Sequence, residues 1–136
     1  MSIEFIFQLL KNCDVRRSWL NRFDGSMFVR IQGELEIRVN GDCYFYEPSI
    51  ALVELAYQLK RWNKEDGFQY DSIELHDGPI MSFTKIGDNR WEISSIWSEG
   101  TVLVDSNELF HAVDVFLSAL DRELYHKYCF RINFVR

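Results

Sequence analysis

The sequence predicts an α+β domain, in which an antiparallel sheet of about six strands carries two amphipathic helices on one face, in the order β-β-β-α-β-β-β-α. Three observations predict this class. Several short runs alternate apolar and polar residues, which is typical of strands with one buried and one solvated face. Turn residues separate these runs at intervals of about ten residues. Two longer stretches instead repeat their apolar residues at helical spacing.

The length and composition of the chain predict a single domain spanning residues 1–136. The chain is 47% hydrophobic, 15% aromatic and 26% charged, which excludes a disordered chain and suits one buried core. Its formal net charge is −6. A negative net charge does not attract nucleic acid or anionic lipid, so neither is an expected partner.

Alternation predicts three strands in the N-terminal third. Ile3–Leu10 is the first, and the polar stretch 11–26 is expected to be a loop. Residues 27–39 separate apolar from polar side chains most clearly, and Gly33 occupies an inward position where a bulge is expected. The Asn40-Gly41 pair predicts a type I′ hairpin turn, because both positions of that turn need positive φ. Residues 43–46 form the returning strand.

A first helix is predicted to begin at Glu47-Pro48-Ser49. Proline is well placed in the first turn of a helix, where its missing N–H is not needed. Apolar residues follow at helical spacing from Leu52 to Trp62. The helix is expected to end by Asn63, before the polar run 64–67.

Short strands return after this helix. Phe68–Leu75, Ile80–Ile86 and Arg90–Trp97 are rich in β-branched and aromatic residues and are bounded by turn residues. Their spacing predicts a meander of hairpins. Thr101–Val104 is a candidate for one more short strand.

The C-terminal part predicts the clearest helix. Asp105 and Glu108 form a variant of the capping box at its start, and an apolar stripe runs from Leu109 to Leu124 behind them. The tail, Tyr128–Val135, alternates again. It is interpreted either as a terminal strand or as an apolar tail packed on the core.

Metal, disulfide and targeting signals are missing from the sequence. The three cysteines, Cys13, Cys43 and Cys129, form no CxxC or CxxH pair, so neither a zinc site nor a disulfide framework is expected. They are expected to be reduced and mostly buried. Glu4 interrupts the N-terminal apolar run, so a signal peptide is not expected. No apolar stretch approaches the length of a membrane span, and the expected location is cytoplasmic.

Catalytic motifs are equally sparse. His76 stands beside Asp77 in a predicted turn, where a carboxylate could orient an imidazole for base catalysis, although a polar turn is the simpler interpretation. Glu34 and Glu36 could act as a carboxylate pair, but they share their strand face with Arg30 and Arg38 and are interpreted as a solvated, charge-balanced surface. The sequence therefore predicts no enzyme, no catalytic residues, no cofactor and no metal.

The charge of the chain is unevenly distributed. Residues 63–108 hold ten acidic and three basic residues, a net charge of −7, whereas the predicted loop 11–26 is locally basic. Solvated turns that favour Asp explain part of this asymmetry. The functional interpretation is an acidic surface that attracts a basic partner and speeds its association.

Several motifs in chain order carry a family resemblance. They are Gly33-Glu34-Leu35-Glu36-Ile37-Arg38-Val39-Asn40-Gly41, Glu47-Pro48, Tyr57-Gln58-Leu59, Pro79-Ile80-Met81-Ser82-Phe83, Trp91-Glu92-Ile93-Ser94-Ser95-Ile96-Trp97 and Asn107-Glu108-Leu109. In this order the chain resembles small bacterial immunity proteins encoded beside polymorphic or contact-dependent toxins. The resemblance covers residues 33–125 and consists of core positions, so it transfers no contact residues. It implies a non-enzymatic protein that binds one toxin and blocks it.

Three functional hypotheses follow. The first is an immunity protein that neutralises a cognate toxin domain, expected to be a basic nuclease, in the cytosol as a monomer or weak homodimer. The second is a small enzyme or ligand-binding domain built around His76 and Asp77. The third is a homo-oligomeric scaffold that uses an edge strand or the tail Tyr128–Val135. Under the first hypothesis, the expected contacts are Glu65, Asp66, Asp71, Glu74, Asp77, Asp88, Glu92, Trp97 and Glu99.

Overall fold

The structure is a computed structural model, and it describes residues 3–9, 32–70, 80–96, 98 and 100–128. These ranges contain seven strands and two helices. In chain order they are β1 (Ile3–Leu9), β2 (Gln32–Val39), β3 (Asp42–Ala51), α1 (Leu52–Arg61), β4 (Phe68–Tyr70), β5 (Met81–Lys85), β6 (Arg90–Ser94), β7 (Val102–Asp105) and α2 (Ser106–Tyr128). The predicted α+β class, with antiparallel strands and two helices, is confirmed.

The first three strands form an antiparallel sheet in the order β1-β2-β3. Its register places Phe5 opposite Ile37, and Ile37 opposite Phe45; all three side chains are buried. The turn from β2 to β3 has φ of 55° at Asn40 and 85° at Gly41, as the predicted type I′ turn requires. The register shifts just after Gly33, where the bulge was expected.

The third strand is longer than predicted, and the helix expected at Glu47-Pro48-Ser49 begins only at Leu52. Ile50 and Ala51 still pair with β2 beyond the proline. Among the described strands β3 is an edge strand, and Pro48 lies where its pairing with β2 is interrupted, between Glu47 and Ile50. The missing N–H of proline is tolerated at such a position. The proline signal is therefore common to a helix start and to an edge strand.

The strands divide into two sheets, whereas a single sheet of about six strands was predicted. The second sheet is a meander in the order β4-β5-β6-β7. Helix α1 packs against β2 and β4, and α2 packs against β1, β6 and β7, so both helices contact both sheets. Strand alternation specifies which face of a strand is buried, but it does not specify which strands become neighbours.

One cluster of buried side chains joins the two sheets and the two helices. The ring of Phe5 lies 6.3 Å from that of Phe83 in the second sheet and 5.9 Å from that of Phe116 on α2. Burial of large aromatic side chains is the main source of stability in such a core. None of the helices within the described ranges is long and apolar enough to cross a membrane.

Several predicted elements lie partly or wholly outside the described residues. The predicted loop 11–26, the expected strand residues 27–31 and 71–75, and the tail beyond residue 128 lie outside them. Tyr128 itself ends α2, so no strand begins there. Cys43 is exposed and free, contrary to the expected burial of the cysteines, because the register of β3 turns its side chain away from the core; Cys13 and Cys129 lie outside the described residues.

Candidate protein-interaction surface

The structure describes four of the nine residues predicted to contact a partner. They are Glu65, Asp66, Asp88 and Glu92. The first three are exposed and Glu92 is half-buried. The other five predicted contacts lie outside the described residues; they are Asp71, Glu74, Asp77, Trp97 and Glu99. His76 and its turn also lie outside them.

Glu65 and Asp66 lie in the loop between α1 and β4, which is held by its own hydrogen bonds. The Asn63 side-chain oxygen accepts the backbone N–H groups of Glu65 and Asp66 at 2.8 and 3.0 Å. The indole N–H of Trp62 donates to the carbonyl oxygen of Asp66 at 2.7 Å. Lys64 adopts a left-handed backbone with φ of 66°, which a non-glycine residue keeps only when its surroundings impose it. The two carboxylates therefore project from a defined backbone.

Trp62 fastens this loop to the rest of the molecule. Its ring centroid lies 5.2 Å from that of Trp91, 5.5 Å from that of Phe83 and 5.7 Å from that of Phe110. These residues belong to β6, β5 and α2. Such aromatic pairs are each worth about 0.5–1.5 kcal/mol beyond their buried area, so the loop is anchored to the second sheet and to α2.

Lys64, the basic residue of the same loop, interacts with side chains of α2. The Lys64 Nζ atom lies 3.2 Å from an Asp114 oxygen and 5.6 Å from the centre of the Phe110 ring. Both partners are on α2. Lys64 therefore offsets the charge of Asp114 and leaves Glu65 and Asp66 unneutralised within this loop.

Asp88 lies in the turn between β5 and β6, and this turn meets the start of α2. The backbone N–H of Ser106 donates to the carbonyl oxygen of Asn89 at 2.9 Å. The buried indole N–H of Trp91 donates to the Ser106 hydroxyl at 3.0 Å. Asp88 is consequently held beside the first turn of the helix.

We call this region the acidic end and define it by Glu65, Asp66, Asp88, Asp105 and Glu108. Asp105 is exposed, and its side chain accepts the backbone N–H of Asn107 at 3.2 Å, which is an ordinary N-cap bond to the second helical residue. Lys85 and Arg90 lie nearby, and Arg90 pairs with Asp105 across β6 and β7. Arg61 lines a pocket together with Asp66. Five carboxylates against these three bases still leave the acidic end negatively charged.

A surface groove crosses the acidic end. Its volume is about 470 Å³, and it is lined by Asn89, Arg90, Leu103, Val104, Asp105 and Asn107. Leu103 is exposed there. The groove combines an apolar floor with charged and amide side chains, which is the composition that a protruding side chain of a protein partner requires.

Glu92 borders the groove of the acidic end, because its register neighbour Leu103 lines that groove. It lies on the outer face of the second sheet, between Thr84 and Leu103 in the register. Burial, and to a lesser extent the charge of Glu92, raises the pKa of the Tyr44 hydroxyl. Glu92 therefore shares the outer face of the second sheet with Asp105 of the acidic end.

The outer face of the first sheet is a second charged surface, and the sequence predicted only some of its residues. There β2 supplies Glu34, Glu36 and Arg38, as predicted, but the register adds Glu4 from β1 and Tyr46 from β3. Among the described residues, Arg38 is the one base against three carboxylates on this face. The alternation of Ile3–Leu9 already indicated that Glu4 points outward, but only the strand order could place it beside Arg38.

Arg38 and Glu36 form an ion pair on this face. The Arg38 Nε atom lies 2.7 Å from a Glu36 oxygen, and a second guanidinium nitrogen lies 3.3 Å from the other oxygen. This hydrogen bonding lowers the pKa of Glu36 and raises the pKa of Arg38. Arg38 also lies opposite Glu4, whose charge adds to the rise in the Arg38 pKa. Among the described residues, Glu34 is therefore the carboxylate of this face without a base.

Among the described residues there is no group of three or more His, Cys, Asp or Glu side chains that could hold a metal ion. A family model described as "Domain of unknown function (DUF7878)" matches residues 5–126. No curated protein and no solved structure gives a significant match. The matched range includes every residue of the acidic end and both sheets except Ile3 and Glu4.

Proposed function

The chain belongs to the family described as a domain of unknown function, DUF7878, and from the geometry of the acidic end we propose that it is a non-enzymatic immunity protein. In this proposal it binds a cognate toxin domain, a basic nuclease, and neutralises it in the cytosol. The observation that carries the proposal is that two separate loops, both in contact with α2, present exposed carboxylates. Glu65 and Asp66 lie on the loop that contacts Phe110 and Asp114, and Asp88 lies on the turn that contacts Ser106.

Preorganisation supports a role in binding. The loop that carries Glu65 and Asp66 is held by the Asn63 hydrogen bonds and by the ring of Trp62. Side chains on a rigid backbone lose little conformational entropy when a partner binds, so more of the interaction energy appears as affinity.

Charge supports a basic partner. The acidic end carries five carboxylates, and its groove adds the exposed Leu103. A negative surface attracts a positively charged partner during diffusion and raises the association rate. Nucleases present basic surfaces because they bind phosphate backbones, so a nuclease domain suits this surface.

A neutralisation assay tests the proposal. The chain would be produced in bacteria together with the C-terminal domain of the toxin protein that the proposal expects to be encoded next to it, and growth would be measured. We expect the chain to restore growth, and Glu65→Lys combined with Asp66→Lys to restore it less well. The matched control is Glu123→Lys, which lies on the exposed face of α2 roughly 22 Å along the helix from Glu108. Failure of the unmodified chain to restore growth would overturn the proposal.

A further inference from the structure

The outer face of the first sheet presents two apolar side chains in one row. The register places Ile6, Glu36 and Tyr46 side by side across β1, β2 and β3. Ile6 is 37% exposed and Tyr46 is 51% exposed. Single exposed apolar residues are ordinary on a protein surface, but here two of them flank a carboxylate on one sheet face.

The Tyr46 ring is held in place. Its hydroxyl donates a hydrogen bond to a Glu34 oxygen at 2.8 Å, and this bond is the main reason that the pKa of Tyr46 is raised. The protonated hydroxyl therefore persists and keeps the ring beside Glu34. Within the described part of the chain, the other oxygen of Glu34 has no hydrogen-bond partner.

Charge indicates which side chain this surface accepts. Glu4, Glu34 and Glu36 lie on this face, and Arg38 is already bound to Glu36. An anionic partner would be repelled. A lysine or arginine could place its charged group over the face of Tyr46 and against the open oxygen of Glu34, while its aliphatic stem covers apolar surface.

We propose that the outer face of the first sheet is a second docking surface, on which Tyr46 and Glu34 receive a lysine or arginine side chain of a basic protein partner. The proposal rests on the proposed function only for the class of partner, since the face is built from β1, β2 and β3 and shares no residue with the acidic end. Two separate anionic surfaces allow a basic partner to make contacts at both, which strengthens binding through effective concentration.

A capped octapeptide of alternating arginine and glycine is the probe that tests this surface. Its binding to the ¹⁵N-labelled full chain would be followed by NMR at low ionic strength, with the amide shifts of β2 and β3 as the readout. We expect Tyr46→Ala and Glu34→Gln each to weaken binding at this face by about two- to fivefold, the range for exposed cation–π and ion-pair contacts. Tyr46→Phe keeps the ring, and we expect it to retain more of the affinity than Tyr46→Ala.

The matched control is Glu123→Gln, which removes one carboxylate from an exposed position of α2. An equal loss of affinity in Glu123→Gln and Glu34→Gln would mean that the peptide responds only to net charge, and would overturn the proposal. Absence of peptide-induced shifts in β2 and β3 would also overturn it, because the face would then be closed to a basic segment. Concentration-dependent shifts of the same amides without peptide would assign the face to a second copy of the chain instead.

The two proposals fail in different experiments. If the peptide does not bind this face but the chain restores growth in the neutralisation assay, only the second docking surface is excluded. If the peptide binds this face but growth is not restored, the immunity function is excluded and the basic-segment site remains.

Discussion

The hydroxyl of Tyr44 lies 2.9 Å from the carbonyl oxygen of Gly100, so it joins the first sheet to the segment that leads into β7. The same hydroxyl is 3.2 Å from the carbonyl oxygen of Ile93 on β6. Its single proton serves one of these acceptors at a time. In return, the Ser98 hydroxyl donates to the backbone carbonyl of Tyr44 at 3.0 Å. These contacts connect two sheets that share no strand pairing among the described residues.

Removing this hydroxyl tests how far the link stabilises the fold. We expect Tyr44→Phe to lower the free energy of unfolding by about 1 kcal/mol, the usual contribution of a partly buried hydrogen bond. Urea denaturation measures the change. Tyr46→Phe is the control, because its hydroxyl binds Glu34 at an exposed position, and we expect a change within about 0.5 kcal/mol. Equal effects of the two substitutions would show that the link does not stabilise the fold.

Close packing at Gly33 leads to a second prediction. A Cβ atom at this position would lie 2.3 Å from the carbonyl oxygen of Gln8 and 2.6 Å from the Leu52 Cδ1 atom. The carbonyl belongs to the backbone of β1, which cannot move without disturbing its pairing with β2. We therefore expect Gly33→Ala to lower the free energy of unfolding by about 1–3 kcal/mol, measured by denaturation.

Gly87 is the matched control for that substitution. No atom lies within 4 Å of a Cβ placed there, and its φ is not positive. We expect Gly87→Ala to leave the stability unchanged, or to raise it by less than about 1 kcal/mol through the unfolded chain. Similar losses at both positions would contradict the packing explanation for Gly33.

The ion pair between Glu36 and Arg38 predicts a pH dependence. Because the folded-state pKa of Glu36 is lowered from 4.5, its contribution to stability is present above that value and is lost as the pH falls through the folded-state pKa. NMR titration of the Glu36 carboxyl group should show a midpoint below 4.5. Arg38→Gln should move this midpoint up towards 4.5, since the hydrogen bond from Arg38 is its main cause. An unchanged midpoint in the variant would refute the assignment.

The acidic end predicts a salt-dependent association with the toxin domain. We expect the association rate to fall as ionic strength rises, because the Debye length shortens to about 10 Å at 0.1 M. Glu65→Lys combined with Asp66→Lys should lower the rate at low salt and flatten this dependence, whereas Glu123→Lys should change both much less. Stopped-flow measurements at several salt concentrations would separate the variants. An association rate that is insensitive to salt would count against steering by Glu65 and Asp66, although neutralisation itself could persist.

Local chemistry explains which parts of the fold were predictable. The alternation of Leu35, Ile37 and Val39 with polar neighbours identified the buried face of β2, and Asn40-Gly41 identified its hairpin turn. Both signals act within a few residues, through side-chain direction and allowed φ. The predicted helix start at Pro48 was wrong, because proline suits both the first turn of a helix and an edge strand. The pairing of Ile50 and Ala51 with β2 decides for the strand.

The candidate surfaces were only partly predictable for the same reason. The sequence by itself determined the α+β class, the inward and outward faces of the strands, and the excess of acidic residues in 63–108. Only the tertiary structure decided that Asp88 lies beside the start of α2, that Glu92 lies beside Leu103 of the groove, and that Tyr46 meets Glu34. These relationships depend on packing between side chains far apart in the chain, such as Trp62 against Trp91, and no local pattern encodes which distant side chains fill one core.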